Sequence, residues 1–264
     1  MITPAGAMSE RSFSPQTGTV LQYSDTGGDA SPVLLVHGWT CNQTFWRAQV
    51  EHLAGRYRTI TPDLAGHGRS VSDRGDWTID GFAADVCGLV DHLGLQRVVL
   101  VGHSMGGAVA LEAAARLGAA VGAVVVVDTF VFDYGHYTAK QIAEFMAPFR
   151  RDLPAALHKL VQNTTAQGTD RVVIDGIAEQ MARTSPTVAL PAFESLFAWD
   201  PLSLFNTIAP PIRCINGALT NEKARSRYAG FVSEQVISDA GHFLMQEAPA
   251  RVNEALDRAL SDRT

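Results

Sequence analysis

The segment from residue 98 to residue 117 constrains the fold more than any other. Val98, Val99, Leu100 and Val101 form an apolar run, followed by Gly102-His103-Ser104-Met105-Gly106 and then by residues 107–117, rich in Ala, Val and Leu. A short continuous apolar run between turn residues suits a strand buried on both faces, and an Ala- and Leu-rich run suits a helix. The segment therefore reads as strand, tight turn and helix, with Ser104 at the apex of the turn. Such a turn strains the serine backbone, and its glycines let strand and helix approach closely. Ser104 Oγ is lifted above the sheet. The amide of Met105 opens the helix and points at the same place.

The rest of the chain alternates in the same way. Residues 20–24, 33–36, 59–62, 98–101, 124–127, 212–216 and 234–238 have strand character, and residues 25–29 (Asp-Thr-Gly-Gly-Asp) are a turn signal. Helical spacing appears in 45–54, in 79–93 (Ile79, Phe82, Val86, Leu89, Val90, Leu93, ended by Gly94) and in 249–260. Strands alternating with helices predict an α/β fold with a mostly parallel sheet flanked by helices.

One stretch breaks the alternation. Residues 129–203 carry helical patterns at 139–149, 153–161, 176–182 and 190–197, punctuated by Pro148, Pro154, Pro186 and Pro191. Only Arg171, Val172, Val173 and Ile174 suggest a strand there. About 75 residues is too long for a loop in a compact domain, so the stretch reads as a helical cap inserted before the seventh strand. The expected division is a flexible tail over 1–17, a core made of 18–128 with 204–264, and the cap over 129–203.

Composition narrows the function. A formal charge of −6 gives no basic footprint for nucleic acid. No apolar run reaches 18 residues, so no membrane span is expected. The first residues lack a basic start followed by an apolar stretch, so a signal peptide is not expected. Cys41, Cys87 and Cys214 are odd in number and lack metal-ligand spacing, and free thiols suit a cytoplasmic protein. Cys87 and Cys214 read as inert buried thiols, while Cys41 falls near the proposed site.

Three further motifs surround Ser104. His37-Gly38-Trp39 directly follows a strand, and the amide of Trp39 can join that of Met105 as a second donor to a developing oxyanion. Residues 63–70 (Asp-Leu-Ala-Gly-His-Gly-Arg-Ser) describe a tight structural loop, with Asp63 and His67 as lesser candidates for catalysis. Gly241-His242-Phe243 lies between the last strand and the last helix, and His242 is the histidine best placed to act as a general base. His37, Gly38, His103, Phe130, Tyr134 and Phe243 are candidate substrate contacts, with His136 and Tyr137 near the start of the cap.

These motifs together resemble the α/β-hydrolase superfamily, in particular its serine esterases and lactonases, over residues 18–261. The resemblance implies the α/β-hydrolase fold, a Ser-His-acid triad, an oxyanion hole of backbone amides, no metal and no organic cofactor, and a site between sheet and cap. Ser104 matches the nucleophile, His242 the base, and Trp39 and Met105 the oxyanion positions. The acid departs from the common pattern. In many relatives the strand matching 212–216 leads to an aspartate, but here it leads to Gly217-Ala218-Leu219-Thr220-Asn221-Glu222. Asp128, at the end of the preceding strand, is the expected replacement, with Glu222 and Asp239 as alternatives. The function expected is cleavage of carboxylic esters or lactones of small to medium, partly apolar substrates through an acyl-enzyme. A carbon–carbon bond hydrolase or a perhydrolase would keep the same triad. A ligand receptor on the same fold is an alternative of another class. A monomer or homodimer is expected.

Overall fold

The computed structural model describes residues 8–261. Among them nine strands form one sheet: β1 (Ser9–Gln16), β2 (Thr19–Asp25), β3 (Pro32–Val36), β4 (Arg58–Pro62), β5 (Val71–Ser72), β6 (Val98–His103), β7 (Val121–Val127), β8 (Ile212–Gly217) and β9 (Ser233–Ile237). The order across the sheet is β1-β2-β4-β3-β6-β7-β8-β9, with β5 paired to β2. From β4 to β9 every pairing is parallel, while β2 pairs antiparallel with β1, β4 and β5.

The central strands are apolar on both faces because helices cover both. Residues 98–101 and 124–127 are fully buried. The crossover through α1 (Arg47–Leu53) moves from β3 outward to β4, whereas the one through α3 (Met105–Leu117) moves from β6 the other way to β7. Right-handed crossovers in opposite directions put their helices on opposite faces. Consistent with this, α2 (Ile79–His92) packs on α3, and α11 (Pro249–Ser261) packs on α1. The chain thus reverses direction between β3 and β6. Such a reversal opens a crevice beyond the carboxyl ends of the two strands, which is where doubly wound sheets bind ligands.

Three expectations need correction. Residues 9–16, expected within a flexible tail, form the edge strand β1, paired from Ser9↔Asp25 to Gln16↔Thr19. Residues 1–7 lie outside the described residues. The helical insertion precedes the eighth strand in chain order, not the seventh: residues 212–216 are the sixth of the expected strand segments, and the edge strand β1 and the two-residue β5 precede them as well. Residues 171–174 are no strand but the first turn of α6 (Arg171–Met181). There the Asp170 side chain accepts from the Val172 amide, and Ile177, Ala178 and Met181 are buried at helical spacing. Local β-branching yields to a cap and an amphipathic period.

The insertion between β7 and β8 contains α4 (Ala139–Arg151), α5 (Leu153–Thr164), α6, α7 (Pro186–Ala198) and the short α8 (Leu202–Phe205). Phe145, Phe149, Phe193 and Phe197 pack together, with ring centroids from 4.9 to 5.7 Å apart. Trp39, from the loop after β3, stacks on Phe193 at 3.9 Å and meets the edge of Phe149 at 5.6 Å. Its Nε1–H donates to the Ala189 carbonyl at 2.7 Å. One core side chain therefore anchors the insertion by stacking and by a hydrogen bond at once.

Candidate active site

Ser104 follows β6 with φ 51° and ψ −120°, a left-handed conformation that a side chain rarely adopts. The turn holds it there. The Ser104 amide donates to the Val127 carbonyl at 2.9 Å, and the Gly107 amide donates back to the Ser104 carbonyl at 2.9 Å. Two glycines make the packing possible. A Cβ on Gly102 would lie 2.1 Å from the Gly106 carbonyl oxygen, and one on Gly106 would lie 2.4 Å from the carbonyl oxygens of Val36 and His37. Helix α3 thus enters against both β6 and the loop after β3. Met105 is its first residue, so its N–H has no acceptor one turn back within the helix. The Trp39 indole is committed to the insertion, which leaves its backbone amide as the group that could serve the site.

His242, in the loop after β9, bridges two neighbours. Its Nε2 lies 3.1 Å from Ser104 Oγ, and its Nδ1 lies 2.7 Å from Asp128 Oδ2. Both distances are within hydrogen-bond reach. Asp128 follows β7, beside β6, so the two strand ends present Ser104 and the carboxylate side by side. Asp128 is buried, at 1% exposure, and its φ is 45°. Its other oxygen, Oδ1, accepts from the Gly217 amide at 2.7 Å and from Thr220 Oγ1 at 2.8 Å. The loop after β8 thus supplies two donors that hold the Asp128 carboxylate. Glu222 is exposed at the start of α9 (Glu222–Tyr228), and Asp239 is exposed and paired with Arg251 at 3.3 Å.

Three other histidines near the site are buried and held neutral. His103 donates from Nε2 to the His242 carbonyl at 2.9 Å; burial first, and the neighbouring His242 second, push its pKa well below the usual value. His37 donates from Nδ1 to the Gly38 carbonyl and accepts from the Leu64 amide at Nε2, and burial lowers its pKa to about 4. His67 is lowered to about 3, by burial and then by His37. Asp63 accepts from the amides of Gln43 and Arg69 and from Gln43 Nε2, so it ties loops together.

A cavity of about 140 Å³ adjoins Ser104, His242 and Asp128. Of the expected substrate contacts, His103, Tyr134 and Phe243 line it, as does Trp39. His37 and Gly38 do not, because His37 is spent on bridging two loops. Phe130 does not either: it packs on Tyr228, ring centroids 4.4 Å apart. His136 points to Arg227. The remaining wall comes largely from Val131, Phe132, Leu160, Met181, Phe193 and Leu219. Cys41 also borders it, and burial pushes its thiol up, away from the reactive thiolate. A larger cleft of about 750 Å³ lies between α1 and the Gln180–Thr184 region, apart from Ser104. Among the described residues no helix is long and apolar enough to cross a membrane.

The serine turn at the reversal point, the histidine after the last strand and the parallel sheet define one class of protein. A family model described as the alpha/beta hydrolase family matches residues 33–255, and the chain belongs to that family. It is 28% identical over 266 residues to lipase LipV of Mycobacterium tuberculosis, covering 92% of this chain and 98% of LipV. It is 42% identical over 103 residues to a non-heme haloperoxidase of Rhodococcus erythropolis, covering 39% of this chain and 37% of that protein. Among solved structures, an esterase from Thermogutta terrifontis superposes with a TM-score of 0.84 at 27% identity, over 97% of this chain and 99% of that one. The chain spans 25% of the length of uncharacterised Mycobacterium proteins that it matches at 40% identity over 85 residues.

Proposed function

We propose that this chain is a serine hydrolase of carboxylic esters or lactones, with Ser104 as nucleophile, His242 as general base and Asp128 as its orienting acid. One observation carries the reading: the unbroken relay from Ser104 Oγ through His242 to Asp128, at 3.1 and 2.7 Å. Ser104 attacks the acyl carbon while His242 Nε2 takes its proton. Asp128 holds the Nδ1–H and stabilises the imidazolium that results. The amides of Trp39 and Met105 receive the developing oxyanion; such a donor contributes a factor of about 10²–10³. His242 then returns its proton to the leaving alcohol, and water repeats the sequence on the acyl-enzyme.

The cavity bounds the acyl group. At about 140 Å³ it is close to the size that holds one benzene ring, roughly 150 Å³. Its walls, Phe132, Leu160, Met181, Phe193 and Phe243, favour an apolar acyl or aryl group. The helices of the insertion act as a cap over this group. The preferred substrates are esters of short acyl chains, up to about six carbons by that volume comparison, or small lactones.

A second reading keeps the triad and changes the acceptor. The likeness to a haloperoxidase favours it: hydrogen peroxide in place of water would attack the acyl-enzyme and release a peroxy acid. One assay addresses both, using p-nitrophenyl esters from acetate to decanoate, with and without peroxide, beside Ser104→Ala. Turnover should peak at short chains and fall by about 10⁶ in Ser104→Ala. A folded Ser104→Ala protein with unchanged turnover would exclude both readings.

A further inference from the structure

Glu247 stands outside the proposed triad, at the end of α10 (Leu244–Glu247), yet its carboxylate gathers four donors. Oε1 accepts from the Phe243 amide at 3.0 Å. Oε2 accepts from the Gly241 amide at 3.1 Å, the Ala166 amide at 2.7 Å and Thr169 Oγ1 at 3.0 Å. Two of these donors flank His242 on either side. The other two belong to the turn between α5 and α6, inside the helical insertion.

A second observation points the same way. The His242 amide donates to the Thr164 carbonyl, the last residue of α5, at 2.6 Å. A Cβ on Gly241 would lie 2.3 Å from that carbonyl oxygen and 2.7 Å from the Ala166 nitrogen. Glycine at 241 is thus required by the approach of the α5–α6 turn to the histidine loop. Hydrogen bonds to an ionised carboxylate are about twice as strong as neutral ones, and this one closes the contact from both sides.

We infer that Glu247 is a positioning residue that locks the His242 loop to the α5–α6 turn, so that the placement of the general base depends on the seating of the insertion. The core holds the same loop through His103 Nε2 to the His242 carbonyl, through the Ala218 amide to the Ala240 carbonyl, and through the bonds of the His242 ring to Asp128 and Ser104. An insertion displaced from this seat removes the acceptor of the His242 amide and two of the four partners of Glu247. The helices that wall the substrate cavity therefore also set the geometry of the base. In its kinetic form the inference rests on the reading under Proposed function.

The test uses the full chain with Glu247→Ala, Glu247→Gln and Thr169→Val. kcat and KM for p-nitrophenyl butyrate are measured per site titrated with a p-nitrophenyl phosphonate, which counts competent serines. The proton resonance of His242 Nδ1–H is recorded on the same samples and needs no substrate. A misplacement on the order of 1 Å costs about 10² in rate, so kcat of Glu247→Ala should fall by about that factor while KM stays within about threefold. Glu247→Gln keeps one acceptor oxygen and should fall less, and Thr169→Val, which deletes one bond from the insertion side, least. The Nδ1–H resonance should shift or broaden in the same order. Unchanged kcat per titrated site together with an unmoved resonance overturns the inference and leaves Glu247 a purely structural clamp. If Glu247→Ala does not fold, the other two variants decide by the same measures. If the unmodified chain turns over no ester, the functional reading fails, and the resonance alone decides the role of Glu247.

Discussion

Replacing Asp128 by Asn should nearly abolish turnover, for a reason specific to this site. Asp128 Oδ1 faces two donors, the Gly217 amide and Thr220 Oγ1, while Oδ2 faces His242 Nδ1. An asparagine must choose an orientation. Its carbonyl oxygen is drawn to the two donors, because its NH₂ placed there would confront the Gly217 N–H. The NH₂ then faces His242 and donates to Nδ1. Nδ1 becomes an acceptor, and the proton of the neutral ring moves to Nε2. A protonated Nε2 cannot accept the proton of Ser104. In Ser-His-Asp enzymes the same tautomer trap costs about 10⁴ in kcat, or about 5 kcal/mol of transition-state stabilisation. The assay is kcat/KM for p-nitrophenyl butyrate from pH 5 to 9, with melting temperature as a control for folding. A folded Asp128→Asn within about tenfold of the parent, under one step of 1.4 kcal/mol, would refute the assignment and return attention to Glu222 or Asp239.

Two other outcomes follow from the same geometry. His37 and His67 are lowered by burial to about 4 and about 3, against about 6.5 in the unfolded chain. Between about pH 6.5 and 4 the unfolded state binds more protons, so stability is full above that window and falls as the pH drops through it. At about 1.4 kcal/mol per pH unit for each histidine, these two should cost about 4 kcal/mol in urea unfolding at pH 5 relative to pH 7.5, and His103, lowered in the same direction, adds to the loss; a flat profile would contradict the buried neutral state. Tyr134 is fully buried, and its hydroxyl has no hydrogen-bond partner among the described residues. Tyr134→Phe removes an unsatisfied group and should leave stability unchanged or raise it by about 1 kcal/mol; a loss of that size or more in urea unfolding would mean that the hydroxyl has a partner.

What the sequence made legible followed strong local chemistry. The turn around Ser104 has a strand before it and a helix after it, so its place at a strand end could be read directly. Asp128 stood out because the loop after the next strand, 217–222, offers no aspartate and the strand end at 127 does. The edge strand β1 was not legible, because Ser, Arg and Gln surround Phe13 and an exposed edge has no apolar period to display. At residues 171–174 the β-branched run points to a strand, whereas the Asp170 cap and the buried period that follows make it a helix. The cavity wall was beyond reach for a different reason. Leu160 and Met181 have the same helical spacing as residues that merely pack, and only tertiary placement separates the two uses. Glu247 carries no signal of its role either, since two of its four donors, Ala166 and Thr169, come from a segment distant in the chain.

The most direct test of the central claim is covalent labelling with a p-nitrophenyl phosphonate, followed by intact mass measurement and peptide mapping. The account predicts one label per chain, located on Ser104, absent in Ser104→Ala and formed far more slowly in Asp128→Asn. A folded chain that takes no label, or takes it at another residue, would contradict it.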